Sequence, residues 1–371
     1  MGVGLQRGIV VVVASLLAAG LLVMVRLWMI SPIEARRGTV PPTMPALPTL
    51  TSQLDYVALA DEHFRQGNVE DALVRYRQAV QQKATEPRVY ARLGQLLLWR
   101  GRATEATAML EKAIDLSPEE PSYYALLCMA YDWTQRYDQA VQTGLRAIDL
   151  SPSYAPAYAY LAEAYADAGQ PAEAVQMGRR AMELDGESAE VRRAYAYVLQ
   201  STGDTVGAEK EYRQAIELEP NLAFYRLSIA RFYRFNKQED LAIAELQKAA
   251  ASEPGNPQSY EEMGLILYGR KRYEEAAAQF EQAVDLDSQG ALATRYLSWS
   301  YYLAGKFKLA LPHFEQATRL EPQRSENFAG LGWTLFNLQQ YDEARTAFQK
   351  ALELDPQSRS AQDGMKALEK H

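Results

Sequence analysis

Residues 325–358 read SENFAGLGWTLFNLQQYDEARTAFQKALELDPQS, and residues 257–290 read PQSYEEMGLILYGRKRYEEAAAQFEQAVDLDSQG. Laid over one another without a gap, both put glycine eighth (Gly332, Gly264), alanine twentieth (Ala344, Ala276), phenylalanine twenty-fourth (Phe348, Phe280) and alanine twenty-seventh (Ala351, Ala283). Stepping backwards by 34, the first alanine recurs at Ala310, Ala242, Ala208, Ala174, Ala140, Ala106 and Ala72, and the second follows each seven residues later. Nine units therefore start at 53, 87, 121, 155, 189, 223, 257, 291 and 325. A fixed period of this length marks a stacked repeat architecture, in which each unit buries its apolar face against its neighbours.

Within a unit, counting its first residue as place 1, large apolar side chains favour places 4, 7 and 11, while place 8 is small, as in Ala60, Gly94, Cys128, Ala162 and Ser298. That spacing is helical. Gly67, Gly101, Gly169, Gly203 and Gly305 fall at place 15 and predict a turn. A second apolar series at places 20, 24 and 27 predicts a second helix, ended near place 32 by Pro118, Pro152, Pro220, Pro254, Pro322 or Pro356. The small residues allow the two helices of a unit to approach closely.

These residues resemble the tetratricopeptide repeat family: Tyr273-Glu274-Glu275-Ala276 with Phe280 and Ala283, and Gly332 with Tyr341, Ala344, Phe348, Ala351 and Pro356, are similar to its consensus. The resemblance covers residues 53–358 and implies an all-α, right-handed superhelical solenoid of helix-turn-helix repeats, the first helix of each unit lining a concave groove. Departures are local. Ala84, Gly186 and Ser288 replace the proline, Tyr195 stands at a usual leucine place, and Pro312 predicts a kink in the eighth unit. Residues 359–371 are polar enough for a capping helix.

Residues Gly8 to Val25 are uncharged over 18 positions, roughly 27 Å of helix, enough to span a bilayer. Residues 1–30 are thus expected to form a single-pass transmembrane anchor, with Trp28 at the interface; a cleaved signal peptide is the alternative. Arg26, Arg36 and Arg37 outnumber Arg7 and the α-amino group by one charge, a slight lean towards a cytoplasmic body, although a short tail left inside would place the body outside. Pro41, Pro42, Pro45 and Pro48 make residues 31–52 a semi-rigid linker.

Composition narrows the function. The chain is 371 residues long with 48% apolar residues, so it is not disordered, and its lone Cys128 allows neither an internal disulfide nor a cysteine zinc site. The net charge is −8; residues 1–52 carry four arginines and one glutamate, so the remainder carries −11, which argues against nucleic acid as a partner. His63, His313 and His371 are scattered, no phosphate-binding glycine loop is present, and the repeats leave no room for a catalytic domain. No enzyme, cofactor or metal is expected.

At 100° per residue, places 2, 5, 9, 12 and 13 of the first helix form a stripe opposite its core face. Eleven of these 45 places are aromatic, among them Trp99, Trp133, Trp299 and Trp333, joined by Tyr197, Phe235, Tyr302 and Phe336. Arg193, Arg231, Arg234 and Arg295, together with Met129, complete the expected partner-binding groove, since arginine beside tryptophan is the composition of binding hot spots. Packing between neighbouring first helices competes as an explanation, chiefly at places 2 and 12. Place 9 holds no asparagine, so the chaperone-binding clamp of some family members is not expected. The resulting expectation is a membrane-anchored scaffold that holds an extended segment or helix of a partner protein, weakened by Trp299→Ala with Trp333→Ala. A polysaccharide-guiding periplasmic solenoid and a homotypic assembly module are the alternatives.

Overall fold

The computed structural model describes residues 53–370, so the expected anchor and linker lie outside the described residues. Among the described residues no helix is long and apolar enough to cross a membrane. Nineteen helices and no strand occur there. They run α1 Gln53–Arg65, α2 Val69–Gln81, α3 Pro87–Trp99, α4 Ala103–Leu116, α5 Pro121–Trp133, α6 Tyr137–Leu150, α7 Ala155–Asp167, α8 Pro171–Asp185, α9 Ala189–Ser201 and α10 Thr205–Leu218. There follow α11 Ala223–Phe235, α12 Glu239–Ser252, α13 Pro257–Gly269, α14 Tyr273–Leu286, α15 Ala291–Leu303, α16 Phe307–Leu320, α17 Ser325–Asn337, α18 Tyr341–Leu354 and α19 Arg359–Leu368. Every first helix begins at place 1 and every second helix at place 17.

In seven of the nine units one large side chain at place 24 is set against a small residue at place 8. A Cβ added to Gly94 would stand 2.7 Å from Leu110, one on Gly264 2.7 Å from Phe280, and one on Gly332 2.6 Å from Phe348. Phe280, Phe314 and Phe348 are fully buried there, each worth roughly 1.5–3 kcal/mol. The third and fourth units reverse the exchange: Gly144 and Gly178 occupy place 24, and Leu161 and Tyr195 of the next units fill the space, a Cβ on Gly144 lying 3.0 Å from Leu161 and one on Gly178 2.8 Å from the Tyr195 ring. This accounts for the tyrosine at a leucine place. Pro312 does not end its helix, since α16 continues through it to Leu320.

Place 15 has positive φ in all nine units: in Gly67, Gly101, Gly169, Gly203 and Gly305, but also in Gln135, Lys237, Lys271 and Gln339. The amide at place 16 donates back to the carbonyl at place 11, as from Arg272 to Leu267 (2.9 Å), and that at place 15 to place 12, as from Lys271 to Tyr268 (2.9 Å). This is a Schellman turn, whose left-handed residue is strained unless it is glycine. Lys271→Gly is therefore expected to stabilise the chain by about 0.5–1 kcal/mol, the relieved strain exceeding the added entropy of the unfolded state. A higher urea midpoint with unchanged slope is the result to look for.

Helix α19 covers the ninth unit as a further first helix would. Gly364 receives the Phe348 ring, just as Gly330 receives Phe314.

Candidate functional site

First helices supply the inner surface, and part of it is closed where the first three units meet the start of the sixth. Trp99 at the end of α3 stacks on Phe64 (6.0 Å, 19°) and on Phe224 (6.0 Å, 25°), and Trp133 tilts against Phe224 at 6.3 Å. Arg193 lies over the Phe224 ring at 5.2 Å and Arg92 over Phe64 at 4.3 Å. Beside this stack, Arg100 pairs with Glu253 at 2.8 Å, their side chains only 5% and 7% exposed, and Glu253 also accepts a hydrogen bond from the Ala223 amide that opens α11. Arg100 reaches Glu70 as well. The second unit thus touches the sixth through side chains, and it meets the seventh where a Cβ on Gly101 would stand 2.5 Å from the Gln258 side chain.

This closure revises the expected groove. Trp99, Met129 and Arg193 are buried by the chain itself, and Trp133 is half-buried against Phe224. Trp299 packs edge-on against Phe314 (5.1 Å) and Tyr302 (5.6 Å), and a Cβ on Gly330 of the next unit would come within 3.0 Å of it. Trp333 packs against Phe348 and donates from Nε1 to the Ser360 carbonyl and hydroxyl, both at 3.1 Å. These two tryptophans space successive first helices, so replacing them with alanine would disturb packing as well as any groove. Tyr302 pairs with Phe307 and Phe336 with Tyr341, a repeated contact between places 12 and 17.

The expected arginines are also engaged. Arg193 forks onto both carboxylate oxygens of Glu163. Arg295 reaches both oxygens of Glu321 at 2.8 Å. Arg231 and Arg234 share the single carboxylate of Glu262, at 2.9 and 2.6 Å. One expected aromatic is open: Phe235, 71% exposed, at the same place 13 that Trp99 and Trp133 occupy in their units.

Two of the cavities are lined mainly by first helices. One of about 400 Å³ is lined by Arg88, Arg92, Tyr123, Tyr154, Glu120 and Glu190, where burial pushes the Glu190 carboxyl up to about 7. The other, of about 230 Å³, lies among units 3 to 6 with Asp132, Trp133, Glu163, Asp167, Arg193 and Tyr197 in its wall. Burial, reinforced by Asp167 and Glu163, pushes the Asp132 carboxyl up to about 8, and Tyr197 donates a hydrogen bond to Asp167. His313, lowered by burial, stacks on Tyr301, and the buried Cys128 thiol is pushed well up. Among the described residues no cluster of histidine, cysteine and acids could hold a metal.

Family models described as tetratricopeptide repeat match residues 63–128, 165–231 and 301–368, and a second such model matches 236–291. The chain belongs to the tetratricopeptide repeat family. A search of curated proteins finds no match. Among solved structures, this tetratricopeptide repeat protein is similar to a chain of the APC/C hetero-tetramer Cut9-Hcn1, at 16% identity and a TM-score of 0.52 over 85% of this chain. It spans 62% of that chain's length, and the likeness is one of fold. It also matches yeast Tom70 (15% identity, 86% of this chain and 95% of that one, TM-score 0.45) and Pseudomonas aeruginosa PilF (21%, 57% and 97%, TM-score 0.48).

Proposed function

We propose that this tetratricopeptide repeat protein is a membrane-tethered scaffold that holds a segment of a partner protein on the open inner surface of units 6 to 9, recruiting or assembling it without catalysis. The carrying observation is Phe235: it shares a place with Trp99 and Trp133, which the chain itself covers, yet it is 71% exposed. Arg231 and Arg234 stand beside it, sharing the Glu262 carboxylate while their side chains stay 38% and 40% exposed. An exposed aromatic next to exposed guanidinium suits a segment that carries a carboxylate near an apolar side chain. The tether rests on the uncharged run from Gly8 to Val25 and would raise the effective concentration of the groove near membrane partners. The polysaccharide alternative drew on the inner tryptophans, and each of the four is engaged with a neighbouring aromatic ring.

A photo-crosslinking residue placed at 235, and separately at the 83% exposed Val206, tests the reading. In the membrane fraction, adducts with a protein are expected from position 235 and not from 206, and Phe235→Ala with Arg234→Glu should weaken capture at least tenfold at an unchanged melting temperature. Equal adducts at both positions, or undiminished capture by the folded variant, would overturn the groove; recovery of the full chain in the soluble fraction would overturn the tether.

A further inference from the structure

The cavity among units 3 to 6 holds a polar imbalance that the fold itself does not resolve. Glu163 is matched by the Arg193 fork, and Asp167, exposed at the cavity mouth, accepts from Tyr197. Asp132 is only 3% exposed, yet its Oδ1 has no donor. The groups that face it are Asp167 and Glu163 on α7 and Arg193 on α9, with Cys128 one turn away on its own helix. A buried carboxyl oxygen without a partner costs the fold the desolvation of that group and gains nothing in return. What it lacks is a donor, and Trp133 and Tyr197 line the same cavity.

We propose that this cavity is a socket for a lysine side chain of the partner segment, its ammonium seated between Asp132 and Asp167 and its stem along Trp133 and Tyr197. A compact ammonium with three donors suits two carboxylates on different helices, whereas a guanidinium fork seeks both oxygens of one carboxylate, and the one so presented, Glu163, is already held by Arg193. The Nε of Arg193 is buried without an acceptor in the same wall. A polypeptide brings carbonyl acceptors with its lysine; a free diamine brings none. Because Asp132 holds its proton to about pH 8, seating a cation there expels that proton, and affinity falls as pH drops below 8. The inference rests on the reading that the inner surface takes a polypeptide, but its test needs no partner protein, so either can fail alone.

The full chain is titrated calorimetrically with the peptide acetyl-Gly-Gly-Lys-Gly-Gly-amide, in buffers of different ionisation enthalpy. Saturable binding is expected, with about one proton released per peptide near pH 7 and affinity at least tenfold weaker at pH 6 than at pH 8.5. Acetylation of the lysine, its replacement by arginine, Asp132→Asn and Asp167→Asn should each weaken binding at least tenfold. Asp167 lies at the exposed mouth, so its variant reads the site even if Asp132→Asn perturbs folding. Absence of saturation, or equal affinity in the Asp167→Asn variant, overturns the socket. Equal affinity for 1,5-diaminopentane would keep the ammonium site and overturn its assignment to a polypeptide.

Discussion

Replacing Arg100 with methionine is expected to cost about 3–5 kcal/mol at the contact between the second unit and the sixth and seventh, because Glu253 would be left as a buried charge. Only the Ala223 amide at 2.9 Å and the more distant Asn256 side chain would remain as its donors. Losing the other partner of Arg100, the half-exposed Glu70, matters far less, since such pairs are worth about 1 kcal/mol or less. The cost should appear first as an opening of the seam: Trp99 leaves Phe224, its fluorescence shifts to the red, and small-angle scattering reports a larger radius of gyration. Adding Glu253→Met should restore most of the compaction, because a buried ion pair replaced on both sides by apolar side chains is often neutral. A single variant as compact and as stable as the parent would show that the ion pair does not hold the seam.

Stability should fall as pH rises from 5 to 8, opposite to the common case. Asp132, Glu190 and Glu261 are pushed up to about 8, 7 and 7, in each case chiefly by burial. In the unfolded chain these carboxyls release their protons near pH 4, so across this window the native state binds more protons than the unfolded one. Each group then removes up to about 1.4 kcal/mol per pH unit until its own folded pKa is passed. Allowing for relaxation around partly hydrated sites, the three together should cost roughly 3–6 kcal/mol between pH 5 and 8. The lowered carboxyls, Asp61, Glu209, Glu275 and Glu321, do not oppose this trend, because their contributions are complete above the unfolded value near 4 and are lost only as pH falls from there through the folded values; His313, lowered by burial, opposes it in the acid part of the window, one group against three. Melting temperatures from pH 5 to 8 should decline for the parent and stay level for the combined Asp132→Asn, Glu190→Gln and Glu261→Gln variant. A parent whose melting temperature rises across that range would refute the argument.

How much of this was legible in the sequence depends on whether a contact obeys the period. Helix starts do, because the alanines at places 20 and 27 and the turn at place 15 recur in every unit. Contacts between neighbouring units do too, at the period less about one helical turn: Arg193 meets Glu163, Tyr197 meets Asp167 and Arg270 meets Asp240, each 30 residues apart. Opposite charges at that offset were readable, and would have shown that the inner arginines are engaged rather than free. Phe224 against Trp99 is another matter. They are 125 residues apart, a separation set by the pitch of the whole array and by no local pattern. That is why Trp99 and Phe235, at equivalent places, look alike in sequence and differ in fate. Asp132 was legible as an inner carboxylate, but its lack of a donor is a property of three helices at once.

The seam between the second unit and the sixth and seventh also bears on how such a gene can change its length. Tandem units are gained and lost readily where each touches only its neighbours. Here a duplication or deletion of 34 residues between Pro121 and Asn221 would move Phe224 and Glu253 by one step around the coil, away from Trp99 and Arg100. The same event beyond Gly290 would leave that meeting intact and only lengthen or shorten the open end. Lineages descended from a common ancestor should therefore hold the count of early units constant and vary the late ones, so that ancestry is recorded in the front of the array and adaptation in its tail.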